Sequence, residues 1–145
     1  MKRHTTTSET DLAELLAGMQ PHLTPGTWVF VNVPELAALG GLDPVMSFRE
    51  AEGTTLVVRR SQAKASGLEG AFPCRMITLE VHWSLEAVGF LAAITAGLAR
   101  LGIAVNPVSA VHHDHLFVPE DRAEEAMAEL RALAAQGVKA RRDAD

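Results

Sequence analysis

Apolar and polar residues alternate along residues 76–83, the pattern of a strand with one covered face. Its two sides are formed by Ile77, Leu79, Val81 and Trp83 on one, and Met76, Thr78, Glu80 and His82 on the other. Apolar residues then recur at helical spacing over residues 85–101. Ser84 occupies the N-cap position and Gly102 ends the pattern. The sequence therefore predicts a strand followed by an amphipathic helix.

Two further extended segments, residues 103–111 and 114–118, follow with only a tight connection, which predicts a hairpin. A second amphipathic helix is predicted over residues 120–135, ended by Gly137 and followed by a short strand at 138–141. The order is βαββαβ. With right-handed crossovers this order closes into a ferredoxin-like α+β fold, an antiparallel sheet with both helices on one face.

The N-terminal half has an abbreviated form of the same pattern. Its predicted elements are a helix at 11–19 capped by Thr10, a strand at 27–33, a helical turn at 36–39, a hairpin of strands 45–51 and 54–59, and a short helix at 61–66. We therefore predict a disordered segment at 1–10, an abbreviated module at 11–72 and a second module at 73–142. Sequence leaves open whether the two sheets join edge to edge or stack.

Composition restricts the class of protein. The 145 residues are 48% hydrophobic and 21% charged, as in ordinary globular proteins, and no apolar run approaches the ~20 residues that span a bilayer. A net charge of −5 disfavours nucleic acid as a partner. The single cysteine, Cys74, excludes an internal disulfide and fits a reducing compartment. The N-terminus lacks the apolar region of a secretion signal, so we expect a cytoplasmic protein.

Several segments resemble a known family. They are residues 77–81 (ITLEV), 84–89 (SLEAVG), 102–106 (GIAVN), 113–119 (HDHLFVP) and 46–59 (MSFREAEGTTLVVR). These segments resemble bacterial ACT-domain-like proteins with two tandem ACT modules, and the layout is similar to the cytosolic arginine sensors of animals. The resemblance implies a regulatory protein that binds a small ligand, most often an amino acid, commonly as a dimer and without enzymatic activity or cofactor.

The predicted topology brings distant residues together. In a split βαβ sheet, the end of strand 76–83 lies beside the start of strand 114–118. Asp114 shares its side with Leu116 and Val118 and should therefore point toward the helices. We expect amides at the helix start near Ser84 to bind a carboxylate, and Glu86 and Asp114 to accept hydrogen bonds from an ammonium group. Together these groups would bind a free amino acid.

Gly89 is predicted inside the helix, where glycine needs a reason such as close approach of a ligand or tight packing. The resemblance further implies ligand contacts in residues 83–89, 106–110 and 112–114, although the loop lacks the Pro and Gly that open the helix in metabolic ACT domains. The candidate ligand-binding set is Ser84, Leu85, Glu86, Val88, Gly89, Asn106, Val108, His112, His113 and Asp114.

Two alternatives stay open at this stage. Imidazole is a common metal ligand, so His82, His113 and His115 form an alternative metal site, although their spacing matches no standard motif. The second alternative is that the chain is a dimerisation scaffold that binds no ligand. Catalysis is not predicted, because no nucleophile elbow or phosphate-binding loop is present.

Overall fold

The protein forms one antiparallel sheet with helices packed on it. The computed structural model describes residues 9–34, 40–81, 85 and 87–145. In chain order the elements are α1 (Glu9–Gly18), β1 (Gln20–Leu23), β2 (Trp28–Val33), β3 (Met46–Glu50), β4 (Gly53–Arg59), α2 (Arg60–Ala65), β5 (Ala71–Glu80), α3 (Phe90–Arg100), β6 (Asn106–Ser109), β7 (Asp114–Pro119), a 3-10 turn (Glu120–Arg122) and α4 (Ala123–Ala144).

Among the described residues the sheet has seven strands, of which six run in the order β3-β4-β2-β5-β7-β6, and β1 also pairs with β5. β7 pairs with one edge of β5, and two strands, β2 and β1, pair with the opposite edge. β2 pairs near the start of β5, at Ala71 and Cys74, whereas β1 pairs with its last four residues, from Ile77 to Glu80. The two halves of the chain are therefore joined edge to edge through β5, which resolves the alternative that the sequence left open.

The helices of the described residues all lie on one side of this sheet. Ile77 and Leu79 on β5 pack with α3 and α4 in the larger core cluster, and the valines of β2 pack with Ala63 of α2 in a second cluster. The other side has a third cluster and no helix among the described residues. Its buried members are Trp28, Val57, Cys74, Met76 and Phe117. The α+β, ferredoxin-like class with helices on one face is confirmed.

The segment formed by α1 and β1, which we predicted as part of the N-terminal module, contacts elements of the C-terminal half. β1 pairs with the end of β5, and α1 packs against α4. Strand β1, which was not predicted, comes shortly after α1 and contains Pro21. Helix α1 also begins at Glu9, inside the ten residues predicted to be disordered.

Helix α4 is longer than predicted. It continues through Gly137 to Ala144, so the helix end at Gly137 and the strand at 138–141 are both wrong. A Cβ at Gly137 would lie 2.6 Å from the backbone nitrogen of Ala17 and 2.8 Å from the carbonyl oxygen of Ala13. The close contact with α1 thus requires glycine at this position. The strand predicted at 138–141 does not form, and β1 occupies the sheet edge where it was expected.

Helix α3 begins later than predicted. Its first residue is Phe90 and its N-cap is Gly89, with φ 91°. The predicted N-cap, Ser84, lies outside the described residues. Gly89 does not lie in the helix interior; it provides a left-handed backbone conformation that other residues rarely adopt. The strand at 27–33, the hairpin at 45–59 and the short helix at 61–66 are confirmed within one to two residues. The turn predicted at 36–39 lies outside the described residues.

Candidate functional site

Asp114 is the first residue of β7 and is fully buried, with 0% of its surface exposed. It pairs with Leu79 near the end of β5 and with Ser109 at the end of β6. The predicted proximity of these strand ends is confirmed. Asp114 also lies on the helix side of the sheet, because its cross-strand partner Leu79 belongs to the same core cluster as Phe90, the first residue of α3.

One oxygen of the Asp114 carboxyl group has a partner and the other does not. The Ser109 hydroxyl donates a hydrogen bond of 2.6 Å to Oδ1. Oδ2 is buried and has no hydrogen-bond partner in the described part of the chain. Buried polar atoms are nearly always satisfied, so an unpartnered carboxylate oxygen indicates a position where an external donor can bind.

Burial controls the charge of this group. Loss of water contact raises the pKa of Asp114, while the Ser109 hydrogen bond and then the nearby His115 oppose this effect. Burial likewise lowers the pKa of His115, with a smaller contribution from His113 and an opposing one from Asp114. A cation placed at Oδ2 would favour the ionised carboxylate, since opposite charge at short range lowers a carboxyl pKa.

The histidines lie next to Asp114 but on the other side of the sheet. Nδ1 of His115 is 3.0 Å from the Thr78 hydroxyl, and the rings of His113 and His115 are 6.4 Å apart at their centroids. Nδ1 of His113 is buried without a partner among the described residues. Within those residues, no group of three or more side chains has a geometry that could hold a metal ion. His82 lies outside them.

The other candidate residues divide into three groups. Ser84 and Glu86 lie outside the described residues. Leu85 and Val88 are not on a buried helix face as predicted, because they precede α3 and are 60% and 52% exposed. Asn106 and Val108 pair with Phe117 and His115, so they share the helix-free side and are not brought to the Asp114 carboxyl. His112 is exposed and its ring centroid lies 6.3 Å from that of His113.

Ser109 lies in the implied contact segment 106–110 but was not included in the candidate ligand-binding set. The predicted hairpin of β6 and β7 could have identified it, because the residue that precedes a tight turn pairs with the residue that follows the turn. The observed turn joins the Ala110 amide to the His113 carbonyl at 3.0 Å, which sets Ser109 opposite Asp114. This pairing was not recognised, because strand 103–111 was predicted two residues too long at its C-terminal end.

The fold and the shared central strand define the class of protein. Two copies of a strand-helix-strand unit in one antiparallel sheet, with helices on one face, form the architecture of tandem ACT domains. Two models of the ACT domain match the sequence, one over residues 7–75 and the other over 71–132. Their overlap coincides with the start of β5, which both units share. The chain belongs to the ACT-domain family and contains two such domains in tandem, as the resemblance implied.

Solved structures support this assignment. A Vibrio cholerae protein described as of unknown function and a possible transport protein is 40% identical, with a TM-score of 0.79 over 85% of this chain and 95% of that chain. An Agrobacterium tumefaciens protein is 16% identical, with a TM-score of 0.67 over 80% and 89%. The regulatory subunit of aspartate kinase from Thermus thermophilus, in a ligand-free form, is 11% identical, with a TM-score of 0.60 over 80% and 95%.

The last two similarities show the fold alone. Among proteins of curated function, no sequence matches this chain. The matched regions are ACT regulatory domains, and nothing in them points to a catalytic activity. Within the described residues, no helix combines the length and the apolar composition needed to cross a bilayer.

Proposed function

We propose that this protein is a non-enzymatic regulatory protein of the cytoplasm that binds a free amino acid at Asp114. The observation that carries the proposal is the buried carboxyl group, whose Oδ2 lacks a partner in the described part of the chain. Removing a carboxylate from water without pairing it is costly. A ligand ammonium group that donates to Oδ2 would offset this cost, with each charge-assisted hydrogen bond contributing about 1.5–3 kcal/mol.

The other end of such a ligand can be bound by the first turn of α3. Amides in a first helical turn have no intrahelical acceptor, and here they include those of Leu91 and Ala92. Together with the helix dipole they favour a carboxylate. Because α3 starts at Phe90, we propose that the carboxylate binds after Gly89 rather than at Ser84. Glu86 stays a proposed second acceptor for the ammonium group.

Exposed apolar side chains surround this end of the sheet. Leu85 and Val88 precede α3, and Val111, in the turn between β6 and β7, is 70% exposed. Such residues favour coverage by a ligand or a second copy of the chain. We propose a homodimer in which the ligand stabilises one arrangement of the subunits, through its different affinity for the two states.

Thermal-shift measurements against the twenty amino acids test the proposal. A ligand at about 100 times its dissociation constant should add about 2.7 kcal/mol to the free energy of unfolding. Divalent metals provide the comparison for the histidine alternative. A shift with metals alone would support the metal site and contradict the amino-acid site. No shift with either class would support a dimerisation scaffold, which the exposed apolar residues also permit.

Substitution of Asp114 is the first specific prediction. Asp114→Ala should weaken binding of the identified amino acid about tenfold or more, because it removes the acceptor for the ammonium group. Calorimetry provides the affinity. Glu69→Gln, which removes an exposed carboxylate in the loop between α2 and β5, is the matched control and should bind as the wild type does. Equal affinities for Asp114→Ala and wild type would exclude Asp114 from the site.

A further inference from the structure

A second cleft lies at the junction of β4 and α2. Its volume is about 320 Å³, and it is lined by Trp28, Asp43, Pro44, Val45, Arg59 and Gln62. Trp28 pairs with Cys74 and Asp114 pairs with Leu79, so the two positions are about 17 Å apart along β5. Trp28 also faces the helix-free side of the sheet, whereas Asp114 faces the helices. The cleft is therefore separate from the site at Asp114.

The Arg59 side chain packs on the Trp28 ring at this cleft. Its Cζ lies 4.7 Å from the centroid of the Trp28 ring, a cation–π arrangement. Gly26 is also close to it, since a Cβ there would collide with Nη1 and lie 3.2 Å from Cζ. Arg59 is exposed, but its guanidinium group contacts an indole ring and lies next to the Gly26 backbone, and these contacts reduce the conformational entropy lost on binding.

The guanidinium group has no counter-charge in the described structure. The neighbouring Arg60 pairs with Glu120 at 3.0 Å, and Arg122 pairs with Glu125, but no ion pair or hydrogen bond among the described residues engages the Arg59 side chain. An organised guanidinium with free donors is the group that proteins use to bind carboxylates in bidentate geometry. Arg59 is therefore positioned to bind the carboxylate of a small molecule.

The remaining polar groups define the other part of the ligand. Asp43 lines the same cleft but does not come within ion-pair distance of Arg59, so the cleft presents one cation and one anion at separate positions. Gln62 uses its Oε1 to accept from the Asp43 backbone amide at 3.3 Å, which leaves its NH2 group as a further donor. The Trp28 Nε1 is buried without a partner among the described residues.

We propose that this cleft is a second, independent site for a small molecule that carries a carboxylate and a separate ammonium group. The carboxylate binds Arg59, the ammonium group binds Asp43, and the carbon chain packs on Trp28 and Val45. At about 30 Å³ for each water-sized volume, the cleft admits a ligand of about ten non-hydrogen atoms.

Three probes test the predicted charge pattern. They are 4-aminobutyrate with both charges, butyrate with the carboxylate alone, and butylamine with the ammonium group alone. The readout is the indole N–H signal of Trp28 in two-dimensional ¹H–¹⁵N spectra, with the Trp83 signal identified by its loss in Trp83→Phe. We expect 4-aminobutyrate to shift the Trp28 signal saturably and to bind about tenfold or more tightly than either single-charge probe.

Variants of the cleft complete the test. Arg59→Gln should reduce the affinity for 4-aminobutyrate about tenfold or more, and Asp43→Asn should reduce it toward that of butyrate. Asp114→Asn should leave the response of Trp28 unchanged, which separates this site from the amino-acid site. Equal binding of the three probes, an unchanged affinity in Arg59→Gln, or no saturable shift with 4-aminobutyrate would each overturn the proposal.

Discussion

Asp114 combines two properties that oppose each other in a stable protein, complete burial and an ionisable group with only one hydrogen bond. Ser109 satisfies Oδ1, but nothing in the described structure satisfies Oδ2. Groups at binding sites often reduce the stability of the empty protein in this way, because they are arranged for the ligand. The ligand-free protein should therefore be less stable than a variant without this charge.

The stability of Asp114→Asn tests this effect through pH. Burial raises the pKa of Asp114 above its usual 3.8, so the folded state favours the protonated carboxyl group. Stability contributed by the protonated form is present below pH 3.8 and is lost as the pH rises through the folded-state pKa. Asp114→Asn has no ionisable group at this position, so it does not lose this contribution to stability as the pH rises. Its melting temperature without ligand should exceed that of the wild type at pH 7, and the difference should shrink toward pH 4.

Ser109→Ala is the matched control for this prediction. It removes the hydrogen bond that lowers the pKa of Asp114, so the stability of the protein should fall more steeply with rising pH than in the wild type. If Asp114→Asn melts below the wild type at every pH, the buried amide destabilises the protein more than the carboxylate does. The charge of Asp114 would then not be the cause of the lower stability.

Among the elements, the helices show which features a sequence pattern can and cannot predict. The apolar spacing predicted the end of α3 well, since the helix ends at Arg100 and Gly102 follows with φ 69°. Its start was wrong because Leu85 and Val88 continue the helical spacing by chance while remaining exposed. Periodicity cannot distinguish an apolar residue that packs against a core from one that is exposed and available to contact a ligand or partner.

The same limit explains α4. Gly137 matched a helix stop in sequence, but its reason is the distance between two helices, which only the packed structure reveals. Residues 13, 16 and 17 of α1 surround the position where its Cβ would be. Close approach of this kind depends on residues more than a hundred positions away, and a local window contains no information about them.

Gly137→Ala is therefore expected to destabilise the protein. Its Cβ would meet backbone atoms of α1, which cannot move aside as a flexible side chain can, and overpacking of this kind typically costs about 1–3 kcal/mol. Gly18→Ala, at the last residue of α1, is the control. A Cβ there meets nothing within 4 Å, so alanine should be neutral or stabilise by up to about 1 kcal/mol. Urea unfolding provides both values.

If both alanine variants unfold at the same urea concentration as the wild type, the helices separate easily. The close contact between α1 and α4 would then contribute little to stability. A loss in Gly18→Ala equal to that in Gly137→Ala would instead indicate a general effect of alanine rather than a collision between the helices.

For the molecule as a whole, the defining feature is that β5 belongs to both ACT domains. Its first residues pair with β2 and its last residues with β1, while β7 covers the other edge. The sequence predicted two related units and the correct fold for each. It could not predict that β1 would pair with the end of β5, because Gln20–Leu23 has four residues, one of them proline, and no clear alternation.

Cys74 provides a test of whether this shared strand joins the two domains into one folding unit. It lies on β5 where β2 and β7 both pair, and it is fully buried. Burial, with a smaller contribution from Glu120, raises its pKa to about 12. At pH 8 only about one folded molecule in ten thousand has a thiolate. Reaction with a thiol reagent should therefore require opening of the sheet.

Matched substitutions in the two domains should accelerate this reaction equally per unit of lost stability. Leu56, in the N-terminal core, and Leu98, in the C-terminal core, are both completely buried. Each Leu→Ala change should cost about 2–5 kcal/mol and speed labelling of Cys74 about thirtyfold or more, if opening is global. Acceleration in Leu56→Ala but not in Leu98→Ala would show that the first domain opens alone, and that sharing β5 does not couple the two.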